Sequence, residues 1–295
     1  FTLVALLIML ACVGYNVSNQ NGFVYREFAQ HSTKKELGED GQFRGFWTGC
    51  HGVVDQHSLQ WFRCSLDNRE IPTLAIVGDS KAAALAAGLF RTSLPGSRWM
   101  ALSSRGGGDY VLLPVLSNAA IYSKYESQAP KAVLDVMAKN QQITTVVIAA
   151  SIRHLFQLKT DDSVSDLVLS PFQGDAEQGL ENFIDVLLQL NKKVIFLVDN
   201  PTLPHPEDCI SRVSNIAMID WLLGKQRNPK CAITYKEYLQ STQKYRTMIA
   251  ALKTRFGDRL IIFETAPFLC DTSENGLCSM TKDNLPNGRP LYTIT

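Results

Sequence analysis

The stretch LAIVGDSKAAAL, residues 74–85, decides the fold. An apolar run ends in Gly78, Asp79 and Ser80 and passes straight into a segment rich in alanine and leucine. That pattern predicts a short buried strand over 73–77 followed at once by a helix over 81–90. Ser80 then stands at the strand-to-helix turn, and Gly78 permits the turn to be tight. From there the Ser80 hydroxyl projects from the sheet edge. Its backbone N–H, with the helix dipole behind it, is placed to stabilise a developing oxyanion. The plainer alternative is that Asp79 and Ser80 only cap the helix.

Downstream the alternation continues. Residues 98–102 read as a second strand, followed by a long helical region up to Asn140, broken near Pro130. TTVVIAA, 144–150, is a β-branched run of the kind buried on both faces. A helix over 177–190, a strand KVIFLV over 193–198, a helix over 235–256 ended by Gly257, and a last strand RLIIFE over 259–264 complete the series. Strand–helix alternation predicts a three-layer α/β/α sandwich with a parallel sheet between helices. In such folds the active site lies beyond the carboxyl ends of the strands.

Upstream, 41–70 reads as an irregular extension packed on the main domain; it holds Trp47, Trp61, Cys50 and Cys64. Residues 18–40 are polar and read as a juxtamembrane connector, helical around 25–37. The first 17 residues, FTLVALLIMLACVGYNV, carry no charge, slightly short of the roughly 20 residues of a full span. They lack the basic start and small-residue cleavage site of a signal peptide. The expectation is a transmembrane helix at the end of a larger membrane domain; a signal sequence and a buried core helix are the alternatives. The organisation is thus 1–17 membrane helix, 18–70 linker and extension, and 71–295 catalytic domain.

With 29 Lys and Arg against 28 Asp and Glu, the formal charge is +1. No field of either sign exists to draw in nucleic acid. Seven cysteines occur, of which Cys12 lies in the apolar segment. None of the other six shows CxxC spacing, which argues against a zinc site. An even number after an apolar anchor reads as disulfides in an oxidising compartment. Of the 15 connectivities open to six cysteines, short loops favour Cys50–Cys64, Cys209–Cys231 and Cys270–Cys278. Buried thiols of a cytosolic protein are the alternative.

The strand ending in Gly78-Asp79-Ser80 resembles the first motif of the SGNH/GDSL hydrolase superfamily. The chain is most similar to the SGNH domain fused to the C-terminus of membrane-bound acyltransferase-3 proteins. VIFLVDNPTLPHPEDC, residues 194–209, resembles that subfamily's strand, Pro-rich loop and cysteine. Cys270 and Cys278, followed by Gly288-Arg289-Pro290-Leu291-Tyr292, resemble the segment before its last motif. The resemblance implies a flavodoxin-like sandwich with Ser80 as nucleophile. The second motif's oxyanion glycine corresponds to the loop of Gly106, Gly107 and Gly108. An ordinary flexible turn is the alternative there.

Two departures stand out. Where the third motif supplies an Asn, this chain has Ser151-Ile152-Arg153-His154, so Arg153 or a backbone N–H would have to substitute. The fourth motif, DxxH, supplies the general base and its orienting acid, and is expected past Thr295. His31, His51, His57, His154 and His205 read as poor substitutes. Lys81 reads as a first-turn surface residue rather than a receptor for an acidic sugar or phosphate. Asp79 reads as a turn residue, not the triad acid. Trp47, Trp61, Trp99 and Tyr110 read as core rather than sugar-stacking residues.

The resemblance implies an O-acyltransferase of the bacterial inner membrane with its SGNH domain in the periplasm. It would transfer an acyl group, in the first instance acetyl, to a cell-envelope glycan such as lipopolysaccharide O-antigen. The donor would be delivered by the membrane acyltransferase domain, with no metal and no cofactor. A carbohydrate esterase and a non-catalytic glycan-binding module are the other readings.

Overall fold

The computed structural model describes Tyr15 and residues 47–104, 114–119, 124–151, 156–157, 168–169, 173–201, 232–273 and 276–279. All of these but Tyr15 fall in one compact unit, Phe46–Val213 with Lys225–Thr295, whose fold follows.

Seven strands form the main sheet: β1 (Trp47–Gly49), β2 (Arg63–Asp67), β3 (Leu74–Gly78), β4 (Trp99–Ser103), β5 (Thr145–Ala149), β8 (Lys193–Leu197) and β10 (Leu260–Phe263). Their spatial order is β1-β2-β4-β3-β5-β8-β10. The strands from β4 to β10 pair in parallel. β2 runs antiparallel to β4, and β1 antiparallel to β2. The sheet is therefore mostly parallel rather than wholly so. The segment read as an irregular extension contributes its two outermost strands at one edge. Two minor sheets pair β6 (Phe156–Gln157) with β7 (Val168–Leu169), and β9 (Ala232–Thr234) with β11 (Leu277–Ser279).

The connecting helices are α1 (Gln56–Leu59), α2 (Ser80–Thr92), α3 (Lys124–Lys139), α4 (Gln173–Gln189), α5 (Tyr235–Ser241), α6 (Gln243–Phe256) and α7 (Ala266–Leu269). α3 runs unbroken through Pro130, although a break was expected there. The single expected helix over 235–256 is two, divided at Thr242, whose hydroxyl donates to the Tyr238 carbonyl at 2.7 Å. α6 ends, as expected, at Gly257, with φ 57°.

Period-two alternation along the strands assigns the layers. Ala75 and Val77 of β3, with Val146, Ile148, Val194 and Phe196, pack against α3, α4 and α6. Ile76, Ala101 and Ala149 point to the other face, against Ala82, Ala86 and Phe90 of α2. Helices thus lie on both faces, and right-handed crossovers explain the split. α2 carries the chain from β3 to β4 on one side, whereas α3, α4 and α6 carry it toward β10 on the other. The order in which strands are added reverses at β3, with β4 on one side of it and β5 on the other, so the crevice at the carboxyl ends of β3 and β5 is the topological switch point. On the α2 face, Ile195, Leu197 and Ile261 are only half-buried, and Phe263 is exposed. Among the described residues α2 covers only part of that face.

Among the described residues no helix is long and apolar enough to cross a membrane. The span expected over 1–17, Tyr15 apart, and the connector over 18–40 lie outside them.

Candidate active site at the switch point

Gly78 ends β3 where a side chain has no room. A Cβ there would lie 1.8 Å from the Ala149 carbonyl oxygen of β5. The glycine lets the two strands stay in register to their last pair, Gly78 against Ala149. On the other side, the Ser104 N–H donates to the Gly78 carbonyl at 3.0 Å.

Asp79 caps α2. Its Oδ1 accepts the Lys81 N–H at 2.9 Å. Its Oδ2 accepts the Ser151 N–H at 2.7 Å, across the crevice just past β5. Both carboxylate oxygens are committed to backbone donors, which fits the reading of Asp79 as a turn residue. The Ser151 N–H, one of the possible replacements for the missing Asn donor, is spent on this bond.

Ser80 is the first residue of α2 and is exposed. Among the described residues no side chain hydrogen-bonds to its hydroxyl. Its backbone N–H belongs to the first turn of a 13-residue helix, where donors are free and the dipole favours negative charge. That arrangement can hold an oxyanion formed on a carbonyl carbon bonded to Ser80 Oγ.

Lys81 is not the solvated surface residue expected. Its ammonium group forms an ion pair with the Asp199 carboxylate and lies 3.4 Å from Asn200 Oδ1. Asp199 follows the end of β8, and its side chain is 1% exposed. Its main chain is fixed on both sides. The Asp199 N–H donates to the Tyr245 hydroxyl at 3.1 Å, and the Tyr238 hydroxyl donates to the Asp199 carbonyl at 3.3 Å. Arg246 in turn donates to the Tyr238 hydroxyl and grips both oxygens of Glu264 at 3.0 and 3.2 Å. Sequence reading missed Asp199. The available signal was a carboxylate placed immediately after the buried run KVIFLV, at the carboxyl edge of the sheet.

The loop of Gly106, Gly107 and Gly108 lies outside the described residues, as do Arg153, His31, His154, His205 and Tyr110. His57 is on α1, with Nδ1 2.9 Å from Gln60 Nε2 and its ring edge-on to Trp61. The preceding residues, among them Val54 and Asp55, pack on the C-terminal end of α3, which leads into the amino end of β5. Ser80 leaves the carboxyl end of β3, so His57 belongs to the other end of the sheet. His51 is exposed, in a bridge to Val54. Trp61 and Trp99 pack half-buried against the core, as expected of core aromatics. Among the described residues no group of three or more His, Cys, Asp or Glu is placed to hold a metal. Disulfides join Cys50 to Cys64 and Cys270 to Cys278. Cys209 and Cys231 lie outside the described residues.

A family model described as SGNH domain (fused to AT3 domains) matches residues 49–293. The chain belongs to this family. No curated protein matches it. The SGNH match starts at the last residue of β1 and takes in β2 and the Cys50–Cys64 bridge. It extends past β11 and spans the positions of Cys209 and Cys231. The mostly parallel sheet with helices on both faces is the architecture expected of an SGNH domain.

Proposed function

We propose that this SGNH domain transfers an acyl group through an ester on Ser80. The observation that carries the reading is the placement of an exposed serine at the switch point of the sheet, on the first residue of a long helix. Ser80 Oγ attacks the carbonyl carbon of an acyl donor. The tetrahedral oxyanion is held by the Ser80 N–H, with further donors from the loop of Gly106 and Gly107. Collapse expels the donor's leaving group and leaves acyl-Ser80. A glycan hydroxyl then attacks that ester, and Ser80 leaves with its proton restored. The base that takes and returns the proton is assigned to residues outside the described ones.

The fusion to AT3 domains in the family's description supports a donor handed over at a membrane, and hence transfer rather than hydrolysis. Two disulfides support an oxidising compartment, in keeping with a periplasmic domain. The acetyl group and a glycan acceptor such as O-antigen belong to this proposal. The test compares the full-length protein with Ser80→Ala, measuring acetate release from an activated acetyl ester and acetylation of envelope glycan. Both activities should fall at least ~10³-fold in the variant. Equal rates in the two proteins would remove Ser80 from the chemistry. Acetate release without any dependence on added sugar would favour the esterase.

A further inference from the structure

Lys81 breaks a local rule. A cation in the first turn of a helix opposes the helix dipole, and Asp199 opposite it is a carboxylate with a side chain only 1% exposed. Burying such a group is costly unless it is paired. Two unfavourable placements offset each other through one contact, and that contact lies directly beside Ser80. Apolar pairs of similar volume commonly serve stability as well or better. Local rules broken in this way mark sites where a fold gives up stability for function.

The pair also completes a symmetrical restraint. Asp79, before Ser80, is bonded to the end of β5. Lys81, after Ser80, is bonded to the end of β8. Asp199 is itself held through its N–H and carbonyl by Tyr245 and Tyr238, so the far end of the tether is fixed. Ser80 is therefore the single residue between two anchors on different strands.

We propose that Lys81 and Asp199 are positioning residues that hold the Ser80 peptide in the orientation its N–H and hydroxyl need during acyl transfer. The proposal rests on the reading of Ser80 as nucleophile. The pair acts on the transition state and not on acceptor binding, because the two charges are already engaged with each other. A misplacement of about 1 Å at a reacting group costs on the order of 10²-fold in rate.

The test uses the full-length protein with p-nitrophenyl acetate as acyl donor, comparing wild type with Lys81→Met, Lys81→Arg, Asp199→Asn, the double variant Lys81→Met/Asp199→Leu, and Ser80→Ala. Melting temperatures are measured alongside. Lys81→Met and Asp199→Asn should lose about 10²-fold in kcat with KM little changed. Lys81→Arg should recover most of the loss. The apolar double variant should melt at or above wild type and still be slow. Wild-type kcat in Lys81→Met, with Ser80→Ala inactive, would overturn the proposal while leaving the nucleophile intact. Recovery of kcat in the apolar double variant would also overturn it, reducing the pair to a packing element. Activity in Ser80→Ala would remove the nucleophile reading and the proposal with it. If Asp199→Asn fails to fold, the partly exposed Lys81 carries the comparison.

Discussion

Two glycines ten residues apart should respond to the same substitution with opposite signs. At Gly78 an added Cβ would stand 1.8 Å from the Ala149 carbonyl oxygen, 2.6 Å from its carbon and 3.1 Å from the Ala82 Cβ. The first contact falls about 1.6 Å short of an ordinary 3.4 Å contact. The obstructing atoms are backbone in the centre of the sheet, so no rotamer change relieves it. The ends of β3 and β5 would have to move apart, breaking the last ladder pair and stretching the Asp79–Ser151 bond. Overpacking of a close-packed site costs about 1–3 kcal/mol, and Gly78→Ala should lie at the upper end because rigid main chain opposes it. Gly88 is in the interior of α2, and a Cβ there meets nothing within 4 Å. Gly88→Ala should therefore stabilise by about 0.5–1 kcal/mol through helix propensity and unfolded-state entropy. Urea unfolding of the two variants measures both numbers. Labelling of Ser80 by a fluorophosphonate should slow in Gly78→Ala and stay at the wild-type rate in Gly88→Ala. An unfolding free energy for Gly78→Ala within 0.5 kcal/mol of wild type, on the scale of an ordinary surface change, would refute the close-approach argument.

Other outcomes follow from charges away from the site. The fully buried Asp67 accepts bonds from Arg69 and Ser93 and lies 3.9 Å from the buried Arg98. Burial alone would raise its pKa, but these bonds outweigh it and hold the carboxyl below its ordinary value. Asp67→Ala should cost about 2 kcal/mol, because Arg69 and Ser93 lose their shared acceptor while Arg98 keeps Glu70 and the Ser93 carbonyl, and a loss under 1 kcal/mol in urea unfolding would show that the cluster relaxes freely. Asp55 caps α1 and pairs with Lys139. The Ser58 N–H, then Lys139 and the Ser58 hydroxyl, lower its pKa from 3.8 to about 2. Because the folded value is depressed, the carboxylate's contribution is full above 3.8 and disappears as pH falls through about 2. The stability gap between wild type and Asp55→Asn, which keeps a capping side chain, should shrink over that window. A gap independent of pH there would exclude the charge.

The parallel strands were legible because each is a continuous apolar run buried on both faces, and the β3–α2 junction because a strand meets a helix with no linker between. β1 and β2 were not legible. WTG and RCSLD carry no apolar run, since β1 at the edge and β2 beside it are held by ladder bonds and, here, by the Cys50–Cys64 bridge. The helix through Pro130 was missed because the lost backbone donor suggested a break, whereas apolar neighbours such as Ala129 and Val133 keep that turn in place against the sheet. At the site, Ser80 could be read from its neighbours in sequence. Asp199 could not be joined to Lys81 that way, because only the parallel pairing of β3 and β8 on either side of β5 brings the two ends together.

The way Asp79 spends both its oxygens has a thermodynamic consequence for ligands. The turn that carries Ser80 is ordered by bonds completed during folding, so a binding molecule has no loop to freeze at that point. Electrophilic inhibitors aimed at Ser80 should show little of the entropy cost that accompanies ordering on binding. Stiffening such compounds to match the turn should then lower their Kd directly, because the protein side is already set.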